Sequence, residues 1–202
     1  MRLLSNALAV QLEDVPNSER RNADILFVGR LLPWKAPMLA LRALRYVRHP
    51  GAVLRFCGNG PEEARLRRAA RKWGVAERVR FEGWLPRGPL LSLVACAGAL
   101  IHPAIHEEAG LCLAEALSLG TPVVALDHGG PAEIVGQWRG ARSALVRPGR
   151  PTATARSMAL ALDGFLSEHP AESGGPLRAR TSFTDELLRA YETAHNGGVV
   201  LR

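Results

Sequence analysis

The stretch VLRFCGNGP, residues 53–61, contains the pattern that decides the fold. Its first five residues are mostly apolar, which is typical of a short strand, and a Gly-Asn-Gly turn follows them. Pro61 then suits the first turn of a helix, where its missing N–H is not needed. The helical pattern has one apolar face, formed by Leu66, Ala69, Ala70 and Trp73. A short strand followed directly by an amphipathic helix is the repeating part of a βαβ unit.

The same alternation of strand and helix continues through most of the chain. Further strand patterns lie at residues 25–28, 79–81, 99–101, 122–126 and 144–146. Further helical patterns lie at residues 37–47, 89–97, 111–119, 131–135 and 152–166. Short strands separated by longer helices predict a parallel sheet, because parallel neighbours need a crossover connection. The sequence therefore predicts the α/β class, as a Rossmann-like, doubly wound parallel sheet of about six strands with helices on both faces.

Three regions are predicted along the chain. Residues 1–23 are predicted to be a linker, because residues 5–23 are polar, contain Pro and lack a clear period. Residues 24–168 contain the strand and helix patterns of the predicted sheet domain. Residues 169–202 begin with a stretch rich in Gly, Ser and Pro, which we expect to be flexible, and end in a helical pattern from about residue 183 to residue 194.

The net charge of the chain is large, but it says little about function. The formal net charge is +7, and 24 of the 26 basic residues are Arg, the exceptions being Lys35 and Lys72. Such a strong preference for Arg over Lys indicates a compositional bias, so part of the positive charge is not expected to serve a function. Aromatic residues make up only 5% of the chain and are not interleaved with basic ones, so nucleic acid is not expected as a partner.

Cysteine usage and hydropathy favour a cytoplasmic protein. Cys57, Cys96 and Cys112 are odd in number and widely spaced, which is typical of buried thiols in a reducing compartment. No apolar run approaches the roughly 18 residues that a membrane span needs, and the first residues lack the apolar core of a secretory signal. Peripheral contact with the inner face of the membrane stays open, because a basic surface attracts anionic lipid.

The loop GRLLPWK, residues 29–35, is the first candidate binding element. It follows a predicted strand and places Arg30 and Lys35 on one short loop after Gly29. The planar guanidinium matches phosphate oxygens in pairs, and the ammonium is a compact point charge, so together they suit a diphosphate. The alternative is a solvated loop with two ordinary surface cations.

The segment HPAIHEEAGLCLAE, residues 102–115, is the second candidate element. We place Glu107 on a loop and Glu115 on the helix that follows it, because on one helix their spacing would separate them by roughly 80°. The amides of Ala109, Gly110 and Leu111 would open that helix, and a helix N-terminus binds anions. Carboxylates beside such a site suit sugar hydroxyls, so Glu115 is assigned to a ribose and Glu107 to a sugar. The alternative is an acidic turn that stabilises its own helix.

A zinc site at His102, His106 and Glu107 is the competing interpretation of this segment. The motif differs from H-E-x-x-H, and Pro103 would interrupt a helix that aligned the two His side chains. No metal site is therefore predicted.

Two glycine-containing turns complete the candidate elements. HGGPAE, residues 128–133, allows close approach of a ligand to the backbone, although a tight turn capped by Glu133 explains it equally well. The Gly-Asn-Gly turn of residues 58–60 lacks the third glycine of the dinucleotide fingerprint, so NAD binding is not supported.

In their order and spacing these motifs resemble the C-terminal, donor-binding domain of retaining glycosyltransferases with the GT-B architecture, of the family 4 type (glycosyl transferases group 1). The motifs are G-R-L with a following Lys at residues 29–35, G-N-G-P at 58–61, F-x-G at 81–83, E-x7-E at 107–115, G-T-P-V-V-A at 120–125 and G-G-x-x-E at 129–133. The resemblance covers about residues 24–146.

The resemblance implies a role for each candidate residue. Gly29, Arg30 and Lys35 would contact the donor diphosphate, and the loop that includes Gly83 and Leu85 would contact the base. The remaining donor-binding residues would be Glu107 at the sugar, Glu115 at the ribose, and Ala109, Gly110 and Leu111 at phosphate or sugar. Arg30, Lys35 and Glu107 would act in catalysis. The donor would be a UDP-, GDP- or other NDP-sugar, used with retention and without a metal or another cofactor.

The sequence departs from the family pattern in two respects. Glu108 and Ala109 stand where the family usually has a small residue and Phe. The N-terminal acceptor-binding domain of the family is missing, so we expect a fragment, a truncated product or one half of a split enzyme, with an unknown acceptor. By itself the chain would then be inactive or weakly active. A non-catalytic nucleotide-sugar-binding module, or a subunit that pairs with a separate acceptor-binding chain, is the alternative function.

Overall fold

Six parallel strands form one sheet in the computed structural model, which describes residues 22–107, 110–137 and 141–167. The strands are β1 (Asp24–Val28), β2 (Val53–Cys57), β3 (Val79–Gly83), β4 (Ala99–His102), β5 (Val123–Leu126) and β6 (Ser143–Val146). Their order in the sheet is β3-β2-β1-β4-β5-β6, and each neighbouring pair is parallel. The predicted α/β class is confirmed.

Helices connect the strands within the described residues. They are α1 (Pro37–Leu44), α2 (Glu63–Lys72), α3 (Arg87–Cys96), α4 (Leu111–Ser118), α5 (Gly130–Gln137) and α6 (Pro151–Ser167). Two short 3₁₀ turns, Pro33–Lys35 and Ala76–Arg78, precede α1 and β3. None of these helices is long and apolar enough to cross a membrane.

The helices cover both faces of the sheet, as the alternation of side chains along β1 shows. Ile25 and Phe27 point into one core, which is completed by residues of α1, α2 and α6 such as Met158. Leu26, between them, points into a second core, which includes Leu113 and other residues of α3, α4 and α5. Because successive side chains of a strand face opposite ways, a sheet whose central strands are apolar on both faces must be covered twice.

Element boundaries agree with the sequence patterns to within three residues, and the largest difference is at α1, which ends at Leu44 instead of residue 47. The prediction for β2 is confirmed at both ends, and β1 begins one residue earlier than predicted, at Asp24. Asp24 pairs with Val53 of β2, which makes it the first residue of β1. The Arg55 side chain also ties β1, β2 and β3 together, because its Nε donates to Asp24 Oδ2 at 2.7 Å and its Nη1 donates to Glu82 Oε1 at 2.7 Å. The placement of Pro61 in the first turn of a helix is wrong, since α2 begins two residues later and Pro61 lies in a turn.

The strand order reverses between β1 and β4. From β1 the chain builds outward through β2 and β3, then crosses back to β4 and builds outward on the other side. In open α/β sheets ligands bind at such a switch point, beyond the carboxyl ends of the strands. The loops after β1 and β4 are therefore the first place to search for a site. Most of the predicted linker and the predicted C-terminal helix lie outside the described residues.

Candidate functional site

The loop after β1 is anchored at both sides of Arg30. Gly29 adopts φ 144°, and its amide donates to the Cys57 carbonyl at 3.0 Å. Leu31 is fully buried, and its amide donates to the Asn59 carbonyl at 2.9 Å. Arg30 between them is exposed. A guanidinium held out from a fixed backbone is well placed to meet an anion from solvent.

The Gly-Asn-Gly turn after β2 is the support on which this loop lies. A Cβ at Gly58 would come within 2.1 Å of the Gly29 carbonyl oxygen, and one at Gly60 within 2.4 Å of the Leu31 carbonyl oxygen. Such distances are impossible for real side chains, so only glycine allows the two loops to touch. The turn therefore has a clear structural role, which is to fix the backbone on either side of Arg30.

Lys35 and Glu107 meet because the loops after β1 and β4 are joined. The Ile105 amide donates to the Trp34 carbonyl at 2.8 Å, which places the residue after Trp34 beside the loop that carries Glu107. The Lys35 ammonium donates to the Glu107 carboxylate in a partly buried ion pair. Lys35 and Glu107, which are 72 positions apart in the sequence, are thus in contact in the structure.

His102 lies beneath this ion pair at the end of β4. Its side chain is only 4% exposed, its Nε2 is 3.5 Å from Glu107 Oε2, and its Nδ1 is 3.6 Å from the Cys112 sulfur. The approach of His102, followed by the Lys35 ammonium, lowers the pKa of Glu107 to about 2 in spite of burial. Burial opposes the charging of His102, but Cys112 and Glu107 more than offset it and raise its pKa to about 9. Glu107 is therefore a carboxylate, not an acid, at neutral pH.

Helix α4 begins at the carboxyl edge of the sheet, next to Glu107. Gly110 precedes it at φ 44°, and a Cβ there would come within 2.6 Å of Ile134 Cδ1. Leu111 is the first residue of the helix and is exposed. The helix N-terminus thus lies where the sequence placed it, and a backbone hydrogen bond from Gly110 helps to lower the pKa of Glu107. Ala109, which was assigned to the same site, lies outside the described residues.

Glu115 on α4 is paired with an arginine that no motif indicated. Arg87 Nη1 donates to Glu115 Oε1 at 2.7 Å, and the Glu115 side chain is only 9% exposed. Burial raises the pKa of Glu115 above its ordinary value, although the Arg87 charge works against that shift. Arg87 is the first residue of α3, where the helix dipole disfavours a cation. That unusual position is the sequence signal that could have indicated Arg87.

The predicted base loop follows β3, two strands away from β1 on the same edge of the sheet. Gly83 adopts φ 69°, and Leu85 is half-buried and packs on the second core. Trp84 between them is 72% exposed. A separate cavity of about 460 Å³, lined by Pro33, Ile105 and other mostly apolar residues, lies beside this edge but contains none of the predicted donor residues.

Comparison with known proteins identifies the chain. The family model described as "Glycosyl transferases group 1" matches residues 11–172. The chain belongs to the glycosyl transferases group 1 family. The predicted recognition of a glycosyltransferase is therefore confirmed.

Curated relatives of this glycosyltransferase chain are longer than it is. It is 32% identical over 177 residues to 2-deoxystreptamine glucosyltransferase of Streptomyces kanamyceticus, covering 87% of this chain and 43% of the relative. It is 39% identical over 115 residues to glycogen synthase of Mycobacterium tuberculosis, covering 56% of this chain and 28% of the relative. The chain thus spans less than half the length of these relatives.

Solved structures show that the fold is that of one GT-B half. A pneumococcal O-GlcNAc transferase matches with a TM-score of 0.69 at 18% identity, over 89% of this chain and 37% of that one. The catalytic domain of cholesterol-α-glucosyltransferase from Helicobacter pylori matches with a TM-score of 0.54 at 22% identity, over 87% of this chain and 98% of that one.

The His residues of the group 1 glycosyltransferase chain that suggested zinc are arranged differently from a metal site. His102 is buried against Glu107 and Cys112, whereas His106 is exposed. Across residues 22–107, 110–137 and 141–167, no three His, Cys, Asp or Glu side chains are grouped so that they could hold a metal ion.

Proposed function

We propose that this chain binds a nucleoside diphosphate sugar and forms the donor site of a retaining glycosyltransferase. The observation that carries the proposal is the ion pair between Lys35 and Glu107, which joins the loops after β1 and β4 at the switch point, with Arg30 exposed on the first loop and the start of α4 after the second. Each of these groups suits one part of such a donor, and all of them lie on the edge where ligands of parallel sheets bind.

The diphosphate would lie between Arg30 and Lys35. Arg30 is exposed and can offer two parallel donors to phosphate oxygens. The Lys35 ammonium has three donors, so it can contact phosphate while it still holds Glu107. Together with the Leu111 amide at the start of α4, these groups would neutralise the charge of the departing diphosphate, and Gly29, Ala109 and Gly110 would line the same site. Because the chain itself provides this charge, we propose that the reaction needs no metal ion and no cofactor.

The sugar and the nucleoside would lie on opposite sides of the diphosphate. Glu107 is ionised over the whole neutral range, so it can accept hydrogen bonds from sugar hydroxyls but cannot donate a proton. Glu115 would accept hydrogen bonds from the ribose, and the loop of Gly83 and Leu85 would support the base. Relatives support a nucleotide here, since both the pneumococcal O-GlcNAc transferase and the Anabaena protein HepE were solved in complex with UDP.

In the proposed reaction the bond between the anomeric carbon and the diphosphate oxygen breaks while the acceptor oxygen bonds to the same face of that carbon. The acceptor proton passes to the departing phosphate, which leaves no proton to be taken by a side chain. Arg30 and Lys35 would stabilise the negative charge that develops on the leaving group. The acceptor would approach this edge of the sheet, bound by another chain or domain. We propose that this takes place in the cytoplasm or at the inner face of the membrane.

Calorimetric titration tests the donor site directly. UDP, GDP, UDP-glucose and GDP-mannose are titrated into the chain with and without EDTA. We expect at least one of them to bind, and we expect its affinity to be unchanged by the chelator. The double variant Arg30→Ala/Lys35→Ala should lose this binding, whereas Arg71→Ala/Lys72→Ala, which removes two exposed cations of α2, should keep it. Absence of binding of all four at millimolar concentration would refute the proposal.

A further inference from the structure

The Arg87–Glu115 pair connects the predicted base loop with the helix that carries Glu115, which belong to two different sequence motifs. Arg87 begins α3 directly after the predicted base loop, and Glu115 lies on α4, which follows the loop of Glu107. Their side chains meet through the 2.7 Å bond between Nη1 and Oε1. The pair therefore couples the position of the base loop to the position of the carboxylate assigned to ribose.

Because Glu115 is buried, its contact with Arg87 affects whether its carboxylate is ionised. The Glu115 side chain is only 9% exposed, while the Arg87 side chain is 34% exposed. A buried carboxylate without a charged partner is driven toward its neutral form, and a neutral carboxyl accepts hydrogen bonds less well. One oxygen of Glu115 is held by Arg87, which fixes the orientation of the carboxylate.

Arg87 is the charged group that acts on Glu115 from the elements packed around α4. The titratable groups on those elements are Arg87 and Cys96 on α3, Glu133 on α5 and His102 on β4; β5 carries none. Of these, Arg87 forms the hydrogen-bonded ion pair, and its charge favours the ionised form of Glu115.

We propose that Arg87 is a positioning residue of the donor site, which holds the Glu115 carboxylate ionised and oriented so that it accepts hydrogen bonds from the ribose. This assignment rests on the proposed function, because it requires that Glu115 meets a nucleotide. Arg87 itself acts through Glu115 and not through contact with the reacting atoms.

The test is the pH dependence of UDP-glucose affinity, measured by calorimetry from about pH 5 to about pH 9. UDP-glucose is chosen because its diphosphate diester does not titrate in this range. In the wild type, affinity should fall toward acid pH as Glu115 takes up a proton. In Arg87→Met the fall should begin at least about one pH unit higher, and affinity at pH 7 should be about ten-fold weaker.

Further variants separate positioning from mere loss of structure. Arg87→Lys should return the pH midpoint to that of the wild type, and Arg87→Gln, which keeps a donor without the charge, should shift it part of the way. Arg71→Met, which removes an exposed arginine of α2, should leave the profile unchanged. In a Glu115→Gln background, Arg87→Met should have little further effect on affinity, since the two residues act as one unit.

The outcomes are distinguishable from a failure of the proposed function. If the wild type binds UDP-glucose and the Arg87→Met and Arg87→Gln profiles keep the wild-type midpoint, the positioning role is wrong while the donor site stands. Additive losses in the double variant lead to the same conclusion. If the wild type binds neither UDP-glucose nor any other nucleotide at any pH, the proposed function fails and the role of Arg87 fails with it.

Discussion

Lys35, Glu107 and His102 show how individual residues of the site depend on one another. The ammonium and the imidazole both approach the same carboxylate, and each favours its ionised form. A bound diphosphate would add negative charge on the far side of Lys35. The ammonium would then be held between two anions, in the orientation that its pairing with Glu107 already gives it.

Removal of either loop cation should weaken binding of the diphosphate more than binding of the nucleoside. A hydrogen bond to a charged group contributes roughly 1.5–3 kcal/mol, so Arg30→Ala and Lys35→Ala should each weaken UDP or GDP binding about ten-fold or more. Affinity for uridine or guanosine should change much less. Calorimetry with each ligand measures the difference, and Arg71→Ala is the control. Equal losses for nucleoside and diphosphate would mean that these side chains do not touch phosphate.

The two carboxylates should separate in their effects. Glu115→Gln should weaken even the sugar-free nucleotide, because an amide accepts a hydrogen bond less strongly than a carboxylate. Glu107→Gln should weaken the nucleotide sugar more than the nucleotide, whose binding should change only as far as Lys35, the partner of Glu107, is displaced. If both carboxylates merely stabilised the start of α4, which is worth roughly 0.3–1 kcal/mol, both variants would melt lower with unchanged affinity ratios. An unchanged ratio of nucleotide to nucleotide-sugar affinity in Glu107→Gln would end its assignment to the sugar.

The pKa values of Glu107 and His102 predict a window of pH in which their contact stabilises the fold. The pKa of Glu107 is lowered from 4.5 to about 2, so its contribution is present above 4.5 and is lost as the pH falls through 2. The pKa of His102 is raised from 6.5 to about 9, so its contribution is present below 6.5 and is lost as the pH rises through 9. The loss of melting temperature in Glu107→Gln should therefore be largest between pH 4.5 and 6.5. A loss that does not vary with pH would contradict this, and Glu77→Gln, at an exposed position, is the control.

At the scale of elements, the site is built where two strand-end loops pack on each other. The turn after β2 supports the loop after β1, and the loop after β1 in turn holds the loop after β4 through the Ile105–Trp34 bond. Residues with no polar function of their own thus control the position of Arg30 and Lys35. Substitutions in the turn after β2 should therefore change ligand binding, because they shift the backbone of the loop after β1.

Gly60→Ala tests this support. Its Cβ would come within 2.4 Å of the Leu31 carbonyl oxygen, so the two loops must separate. Overpacking of this kind costs typically about 1–3 kcal/mol, and we expect a lower melting temperature together with weaker diphosphate binding. Gly88→Ala is the matched control, because a Cβ at that position of α3 meets nothing within 4 Å. Equal behaviour of the two variants would show that the close approach is unimportant.

At the scale of the whole molecule, the chain should bind a donor without efficient turnover. The described sheet carries the groups assigned to the donor, while its group 1 relatives are more than twice its length. We expect the purified 202-residue chain to bind a nucleotide sugar and to transfer the sugar slowly at best. Product formation from a radiolabelled donor, with simple alcohols and sugars as acceptors, measures this. Robust transfer by the isolated chain would contradict the expectation.

Local patterns in the sequence were sufficient to predict the fold class and the edge at which a site would lie. Strand and helix periods report which face of each segment is buried, and they report it without knowledge of the neighbours. The carboxyl ends of parallel strands share one edge, so Arg30, Lys35, Glu107 and Glu115 could be assigned to it from their place after strands. The roles of these residues within a donor site stay predictions.

The contacts within the site were decided only by the tertiary structure. No spacing predicts that Lys35 meets Glu107 or that Arg87 meets Glu115, because each pair joins loops or helices that become neighbours through the order of strands in the sheet. The glycines after β2 likewise support the loop after β1 for a steric reason that appears only when two backbones touch. The apolar period that indicates a helix or a strand lies within residues close in sequence, whereas the charge and orientation of a site residue are set by groups distant in sequence that burial brings into contact.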